Sequence, residues 1–339
     1  MRAVLESFFG VGMARYRKFG SFLALFASLL FLAGCNVGPA ATGSFDRNFN
    51  VTGSLRLELS NASGDVSITG STDGKVHVHG DVHASGFGFD DPRRRLDETV
   101  ANPPVEQRGD TIRVGKDFTR MRNISIAYTI EVPHDTEVEA NVASGAQSIR
   151  NVRGPVKVHA ASGSIEVDRI ERDADLTTAS GSISANDIGN DARVSSASGS
   201  VAISNVKGDV RATAISEIIR VSQPGGRVEG KTASGEVEIQ GATNNVKAHA
   251  ASGRIYVQGN PSGQNYWDLK TASGGVQISV PTSANFHLSA EAVSGDIRTD
   301  IPIVIEEQGK HSLRAHMGDG GGRVEVRTAS GEIRVSGPR

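Results

Sequence analysis

Apolar and polar residues alternate along most of this chain in a unit that returns about every 18 residues. Each unit is centred on a triplet, Ala-Ser-Gly or a close variant, with apolar residues six and four positions before the Ser and three and five positions after it. Alternation with a period of two indicates half-buried β-strands. The pattern therefore predicts a strand, a Ser-Gly corner, a second strand and a turn in every unit. The Ser residues of the triplets are Ser144, Ser162, Ser180, Ser198, Ser234, Ser252, Ser273, Ser294 and Ser330.

The spacing of the triplets indicates how the units are arranged. It is 18 residues in four of the eight intervals, 21 residues in two, and 36 residues in two, one of which lies between Ser198 and Ser234. The midpoint of that interval is Ser216, where Glu217 replaces the Gly but the apolar frame continues. A period of this size is typical of a solenoid, in which each strand lies beside its counterpart in the next unit. The sequence thus predicts an all-β fold, a parallel β-solenoid of roughly eleven coils, each with about 18 residues and two strands.

The Ser-Gly corner is interpreted as structural. Gly adopts backbone angles that a residue with a Cβ resists, and the Ala before the Ser is expected to fit a tight inner corner. The Ser residues have no His or Lys beside them in the sequence to activate a hydroxyl. The most regular corners are Ser162 and Gly163, Ser180 and Gly181, Ser198 and Gly199, Ser234 and Gly235, and Ser252 and Gly253.

Charged residues at outward positions support the same register. The position five residues before the Ser carries alternating charges, and six of the seven neighbouring pairs in this column have opposite signs. Such cross-strand pairs each contribute roughly 0.2–1 kcal/mol. The column consists of Glu139, Lys157, Asp175, Arg193, Arg211, Glu229, Lys247 and Asp268.

Residues 50–142 share the alternation without the strict period and are predicted to form an irregular N-terminal cap with the first coils. Asp91 and Pro92 are typical of the N-cap and first position of a helix, so a short helix is predicted from there to about Val100. Residues 143–339 are predicted to form the regular solenoid. Because a solenoid needs ends that stop edge-to-edge growth, we expect Arg334, Pro338 and Arg339 to protect its last edge.

The N-terminus predicts export and lipidation. Three basic residues precede the apolar run FLALFASLLFLAGC, which is short for a transmembrane helix and is typical of a signal peptide spanning residues 1–34. The sequence Leu-Ala-Gly before Cys35 resembles a bacterial lipobox, in which the Cys is lipidated. Residues 35–49 are then the lipidated Cys and a tether, and translation starts at Met1 or Met13. By resemblance to Gram-negative lipoproteins, Asn36 after the Cys implies the outer membrane.

Composition excludes one class of partner. The formal net charge is −2 and no basic stripe runs along the chain, so the electrostatic attraction that dominates nucleic-acid binding is missing. Cys35 is the only cysteine, so its acylation leaves no thiol for a disulfide.

Candidate chemistry is sparse. His77 and His79 share one strand face, and His83 follows, so these three are weak candidates for a metal site without a fixed Cys or carboxylate to complete it. We therefore predict no metal and no cofactor. Neither a nucleophile-elbow motif nor a phosphate-binding loop is present, and no catalytic residue is predicted.

Several segments in fixed order resemble the bacterial family labelled "putative adhesin", a β-strand-repeat domain of unknown function. The resemblance covers roughly residues 50–339 and rests on VEQRGDTIRV, YTIEVPHDTEVEANVASG, the ladder of Ser-Gly units and HSLRAHMGDGGGRVEVRTASGEIRV. Glu217 departs from the ladder. The resemblance implies a β-solenoid and an envelope location, and it implies no activity.

We therefore expect an exported, lipid-anchored, non-enzymatic scaffold or adhesin-like binding surface in the bacterial cell envelope. Its partners are then the membrane, through the N-terminal lipid, and an envelope protein or a glycan. The alternative is a carbohydrate-active β-helix enzyme that acts on envelope or extracellular glycans. Such an enzyme needs paired carboxylates and aromatic platforms for sugars, and outward aromatic residues amount to little more than Tyr256 and Tyr266.

Overall fold

A computed structural model describes residues 40–51, 53–86, 91–115 and 123–338. The predicted signal peptide and Cys35 lie outside these residues. Within the described part of the chain, no helix is long and apolar enough to span a membrane. The described strands form a 14-stranded sheet and a 15-stranded sheet, and one helix lies near the N-terminal end.

In chain order, the elements are β1 (Ala40–Asn50), β2 (Arg56–Asn61), β3 (Val66–Ser71), β4 (Lys75–Ser85), α1 (Pro92–Ala101), β5 (Val105–Arg108), β6 (Thr111–Val114), β7 (Ile124–Pro133), β8 (Glu137–Ser144), β9 (Gln147–Val152), β10 (Val156–Ser162), β11 (Ile165–Ile170), β12 (Ala174–Ser180), β13 (Ile183–Ile188), β14 (Ala192–Ser198), β15 (Val201–Val206), β16 (Val210–Ala214), β17 (Ile219–Pro224), β18 (Val228–Ser234), β19 (Val237–Ala242), β20 (Val246–Ser252), β21 (Ile255–Gly259), β22 (Tyr266–Ser273), β23 (Val276–Ser279), β24 (Phe286–Ser294), β25 (Ile297–Thr299), β26 (Val304–Gln308), β27 (Ser312–Met317), β28 (Gly322–Ser330) and β29 (Ile333–Ser336).

The predicted coil is confirmed. In the coil around Ser180, β12 belongs to the 15-stranded sheet, the chain turns at the Ser-Gly corner, and β13 belongs to the 14-stranded sheet. Both strands pair in parallel with the strands one coil before and one coil after, in the register that the 18-residue period predicts. The inward residues of the two strands are buried between the sheets, so the core is a continuous stack of Val, Ile, Leu and Ala.

The Gly of each corner is required by close contact between coils. Gly181 has φ +138°, and a Cβ on it would lie 2.1 Å from the carbonyl oxygen of Gly163. A Cβ on Gly235 would lie equally close to the carbonyl oxygen of Glu217. The expectation for the preceding Ala is wrong, because Ala161 and its counterparts are mostly exposed on the outer face.

The turn at the other side of each coil uses a second conformation that the sequence analysis missed. Seven residues after the Ser, a residue adopts the left-handed region, with φ between 52° and 59°. Asn and Asp tolerate this region better than other residues with a Cβ, and they occupy three of the five positions. These residues are Asn151, Arg169, Asp187, Asn205 and Gln223.

The N-terminal cap agrees with the prediction in its helix and differs from it in the tether. Asp91 caps α1, accepting hydrogen bonds from the backbone N–H groups of Arg93 and Arg94, and Pro92 is the first helical residue, as predicted. Residues 40–49, which were predicted to be part of a tether, instead belong to β1, which pairs antiparallel with β4 along its whole length. The reason is burial, since Phe45 packs edge-on against the ring of Tyr128 in the core.

The last coil in the sequence is not the last coil in the stack. β28 pairs in parallel with β22 on one side and with β24 on the other, and β29 lies in the same way between β23 and β25. The expectation of purely sequential stacking is therefore wrong at this end. Arg334 on β29 lies inside its sheet instead of protecting an edge, and Arg339 lies outside the described residues. The outermost strands here are β25 and β26.

The order of the corners gives the number of coils. Eleven corners stack in the order Ser63, Ser144, Ser162, Ser180, Ser198, Ser216, Ser234, Ser252, Ser273, Ser330 and Ser294.

Candidate functional surfaces

The outer face of the 15-stranded sheet carries the predicted charge column. Its members are register partners, as expected, and Arg211 Nε lies 3.1 Å from Glu229 Oε2. Glu229 also contacts Lys231, which lies two residues later on the same strand. Asp268 contacts Lys270, two residues later on its own strand, and His249 on the neighbouring strand β20. The charges are thus joined into a network along and across the strands, wider than the single column predicted.

This network shifts the pKa values of its carboxylates. The hydrogen bond from Lys231, joined by Arg211, lowers the pKa of Glu229 to about 2 in spite of partial burial. Burial alone would raise the pKa of Asp268, but the hydrogen bonds from Lys270 and His249 together outweigh it and lower that pKa. Both side chains are therefore ionised at neutral pH and act as fixed acceptors on a rigid face.

Tyr266 lies on the same face, where it is bound to a carboxylate. Its hydroxyl donates a hydrogen bond to Glu325 Oε2 at 2.8 Å. Burial, followed by the hydrogen bond and charge of Glu325, raises the pKa of Tyr266 to about 12. The phenol of this tyrosine is already engaged within the protein.

The outer face of the 14-stranded sheet holds the other outward tyrosine in a shallow groove of about 260 Å³. Tyr256 is the register partner of Glu238, whose carboxylate accepts hydrogen bonds from Arg220 at 2.7 Å and from Gln240 at 2.6 Å. The groove is lined by Glu236, Glu238, Arg254, Tyr256, Gln277 and Ser279, with Ser336 and Gly337 at one end. It combines an aromatic ring with acceptors and donors of fixed position, which is the chemistry that fixes the orientation of a polar ligand.

A larger groove, of about 580 Å³, follows the left-handed turns at the side of the coils. Its polar groups contact one another, since Arg169 Nε donates a hydrogen bond to Asn151 Oδ1 at 2.6 Å and Arg153 Nε lies 3.4 Å from Glu171 Oε1. These contacts join successive coils. We interpret this groove as part of the scaffold.

The structure brings two of the three histidines that were weak metal candidates to one carboxylate and leaves His83 apart. His77 and His79 contact Asp46 of β1, at 3.4 Å and 2.9 Å, and the hydrogen bond with Asp46 raises the pKa of His79. His83 lies four residues beyond His79 on the same strand, opposite Thr42. Within the described residues, the one group of at least three ligand atoms that all lie near enough to share an ion does not include any of these histidines.

The Ser and Gly residues of the corners lie at the turn between the two strands of each coil, and their backbone groups join neighbouring coils. Gly163 and Gly181 donate backbone hydrogen bonds to the Ser carbonyl oxygen one coil further on. His159 and His249, which share a position relative to the corner, lie on β10 and β20, five coils apart in the stack.

One family model matches most of the chain. The model of the family described as Toastrack DUF4097 matches residues 55–336. A comparison with curated proteins finds no match. Among solved structures, the chain is similar to "a putative cell adhesion protein" from Clostridium sporogenes ATCC 15579, with 11% identity, a TM-score of 0.22, and coverage of 88% of this chain and 100% of the other. It is also similar to "a putative adhesin" from Bacteroides fragilis NCTC 9343, with 14% identity, a TM-score of 0.27, and coverage of 86% and 97%.

Proposed function

The chain belongs to the Toastrack DUF4097 family, and from its surface we propose that it is a non-catalytic binding scaffold of the bacterial cell envelope, with a glycan as the ligand. The observation that carries this proposal is the groove around Tyr256. The strands that carry these residues, β19, β21 and β23, pair in a fixed register within the 14-stranded sheet, so the ring and its polar neighbours are pre-organised. A pre-organised site loses little conformational entropy on binding.

The groove suits a sugar polymer for two reasons. The half-buried ring of Tyr256 offers an apolar face with a polar edge, against which a sugar ring can stack. Arg254 and Gln277 supply hydrogen-bond donors and Glu236 an acceptor for hydroxyl groups. The open groove lies across stacked coils, so successive sugar units can occupy successive strands.

The same groove supports the second candidate, a carbohydrate-active enzyme. Glu238 lies on the outer face of β19 and Glu236 directly precedes this strand, so two carboxyl groups line the groove, and glycoside hydrolysis uses a pair of carboxyl groups. The binding function is favoured because both carboxylate oxygens of Glu238 already accept hydrogen bonds within the protein, from Arg220 and from Gln240.

Retention on glycans tests both candidates. The purified protein is incubated with immobilised cell-wall and capsular glycans, and bound protein and newly released reducing ends are measured. We expect retention without release, and we expect Tyr256→Ala to abolish retention while Tyr266→Ala, the matched change on the other sheet, keeps it. Release of reducing ends that Glu236→Gln or Glu238→Gln abolishes would support the enzyme instead. Failure of the wild-type protein to bind any of these glycans would contradict glycan recognition.

We also propose that Cys35 is the lipid anchor and that the protein belongs to the outer membrane. Four residues separate Cys35 from the first residue of β1, so the chain between them spans at most about 18 Å. The lipid would therefore keep the N-terminal cap near the membrane surface. Cys35→Ser is expected to move the protein into the soluble export fraction. If this variant stays with the membranes after a salt wash, the anchor is elsewhere.

A further inference from the structure

Two histidines face each other at the C-terminal end of the 15-stranded sheet. His287 of β24 and His316 of β27 are direct partners in an antiparallel pair. Their neighbours on both strands are buried, including Phe286 opposite Met317 and Leu288 opposite Ala315. Because side chains alternate along a strand, this packing fixes both imidazoles on the outer face.

A carboxylate reaches the same point from the next strand. β26 pairs antiparallel with β27, and the register shifts between Ile305 and Glu307. Glu306 is therefore the extra residue of a β-bulge, and a bulge redirects a side chain that would otherwise follow the regular alternation. Glu306 Oε1 lies 2.9 Å from His316 Nδ1 and 3.6 Å from His287 Nδ1.

The spacing of these atoms fits one metal ion. The three ligand atoms all lie within 4.8 Å of one another, and the two imidazole rings are 5.9 Å apart and tilted by 56°. Ligands at about 2.1 Å from a tetrahedral ion are separated by about 3.4 Å from each other. Small rotations of the side chains therefore bring all three ligand atoms to bonding distance.

A glycine-rich turn lies against the imidazole of His287. Residues 318–321 connect β27 to β28, and a Cβ on Gly320 would lie 2.2 Å from His287 Nε2. A side chain at this position would displace the ring, and Gly320 also has a positive φ of 72°. The turn covers the Nε2 side of His287, so its Nδ1 atom faces Glu306.

We propose that His287, Glu306 and His316 bind one divalent transition-metal ion of the Zn²⁺ class. Imidazole nitrogen suits Zn²⁺, Cu²⁺ and Ni²⁺, whereas sites for Mg²⁺ and Ca²⁺ are built from oxygen ligands. Three protein ligands leave at least one position for water. Arg314 is balanced by Glu307 at 3.0 Å, and Arg323, the register neighbour of His287 on β28, is a further cation that lowers the affinity of the site. This site departs from the prediction, made from sequence, that the protein binds no metal.

The ion would fasten the outermost strand of the sheet. β26 is exposed along its whole length and, among the described strands, pairs with β27 alone. A metal bound to β24, β26 and β27 links the edge strand to two strands that are anchored in the core. An edge fixed in this way is less available for pairing with another chain.

Metal titration of the full chain tests the proposal. The protein is purified with a tag that contains no histidine, stripped with a chelator, and titrated with Zn²⁺ by calorimetry and with Co²⁺ by visible absorption. We expect one ion per chain. Loss of a ligand in Glu306→Gln or His316→Asn should weaken Zn²⁺ binding at least about 10-fold, the effect that disturbing the outer shell of a metal site already has. Amide exchange in β26 should slow about 100-fold when free Zn²⁺ is 100 times the Kd.

The other histidine pair provides the matched control. The double variant His77→Asn, His79→Asn removes two imidazoles from the opposite end of the molecule and should bind Zn²⁺ like the wild type. Circular dichroism of the stripped proteins checks that each variant folds. If His316→Asn does not fold, Glu306→Gln still tests the site, because Glu306 lies on an exposed strand. The proposal is wrong if the wild type binds no Zn²⁺, if Glu306→Gln binds it unchanged, or if the control variant loses binding.

Discussion

The backbone N–H of Gly163 donates a hydrogen bond to the carbonyl oxygen of Ser180 across 2.9 Å, so neighbouring coils are joined directly at their corners. The same bond links Gly145 to Ser162 and Gly181 to Ser198. This bond brings the two backbones too close together for a side chain, so the residue after the corner Ser is Gly in nearly every coil.

Gly163→Ala therefore tests the close contact. The new Cβ would lie 2.0 Å from the carbonyl oxygen of Gly145 on a backbone with φ +124°. We expect a loss of about 3 kcal/mol or more in the free energy of unfolding, measured by urea denaturation, because the coils must separate locally. Gly74→Ala is the control, since Gly74 has φ +63° and no atom within 4 Å of the added Cβ. It should cost only about 1 kcal/mol. Equal losses in the two variants would show that coil contact is unimportant.

Phe45→Ala tests whether residues 40–50 are a strand of the core or a tether. Phe45 is 4% exposed and its ring lies 6.3 Å from that of Tyr128, whereas Phe49 on the same strand is only partly buried. Truncation of a buried Phe costs about 3 kcal/mol or more, so Phe45→Ala should release β1 and accelerate amide exchange in both β1 and β4. Phe49→Ala should have a much smaller effect. A tether would respond to neither change.

The pKa of Glu229 tests which charges are paired. Its pKa is lowered from 4.5 to about 2, chiefly by Lys231, so the ionised form contributes stability at pH above 4.5 that is lost as the pH falls toward 2. Lys231→Gln should raise this pKa toward 4.5 in an NMR titration of the side-chain carboxyl group. Lys247→Gln, which removes one of the two register partners that the sequence predicts, should leave it near 2. The reverse result would favour the simple charge column.

Cysteine pairs test the order of the last coils. In a background with Cys35→Ser, the double variant Lys270→Cys, Arg327→Cys places thiols on register partners of β22 and β28. Adjacent strands bring Cα atoms within the 4.4–6.8 Å that a disulfide needs, so we expect oxidation to shift the band on a non-reducing gel. Lys270→Cys with Glu291→Cys, two strands apart, should stay reduced. Cross-linking of the second pair but not the first would show that β22 lies beside β24, as sequential stacking requires.

The sequence predicts the coil because each turn of the stack repeats the same local constraint. Inward positions around Ser162 or Ser234 must be apolar and the corner must be Gly, so the period, the register and the parallel pairing follow from spacing alone. Asp91 and Pro92 likewise predict the start of α1, since a helix N-terminus has its own local chemistry.

Features that depend on distant partners could not be predicted in this way. The alternation in β28 and β29 shows that they are strands, but it does not say which coils they lie between. β1 is a strand because Phe45 finds a site against Tyr128, 83 residues away in the chain. The cluster of His287, Glu306 and His316 depends on a bulge at Glu306, and no fixed spacing in the sequence marks it.

Deletion of one whole unit is the most direct test of the stacked coil. Removal of residues 182–199 joins Gly181 to Ser200, so the corner still reads Ala-Ser-Gly-Ser. Asp173 then takes the place of Asp191, whose carboxylate accepts a hydrogen bond from the backbone N–H of Asp209. Stability in a repeat protein is roughly a sum over units and their neighbours, so one interior unit should cost only a fraction of the total.

The decisive measurement is thermal unfolding of this variant, followed by circular dichroism, beside a variant that lacks only residues 182–190. The shorter deletion puts a strand of the 15-stranded sheet where the 14-stranded sheet needs its own. We predict that the 18-residue deletion keeps a cooperative β-sheet transition close to that of the wild type, and that the nine-residue deletion loses it. Equal loss of the transition in both variants would contradict the stacked 18-residue coil and the account of the surface built on it.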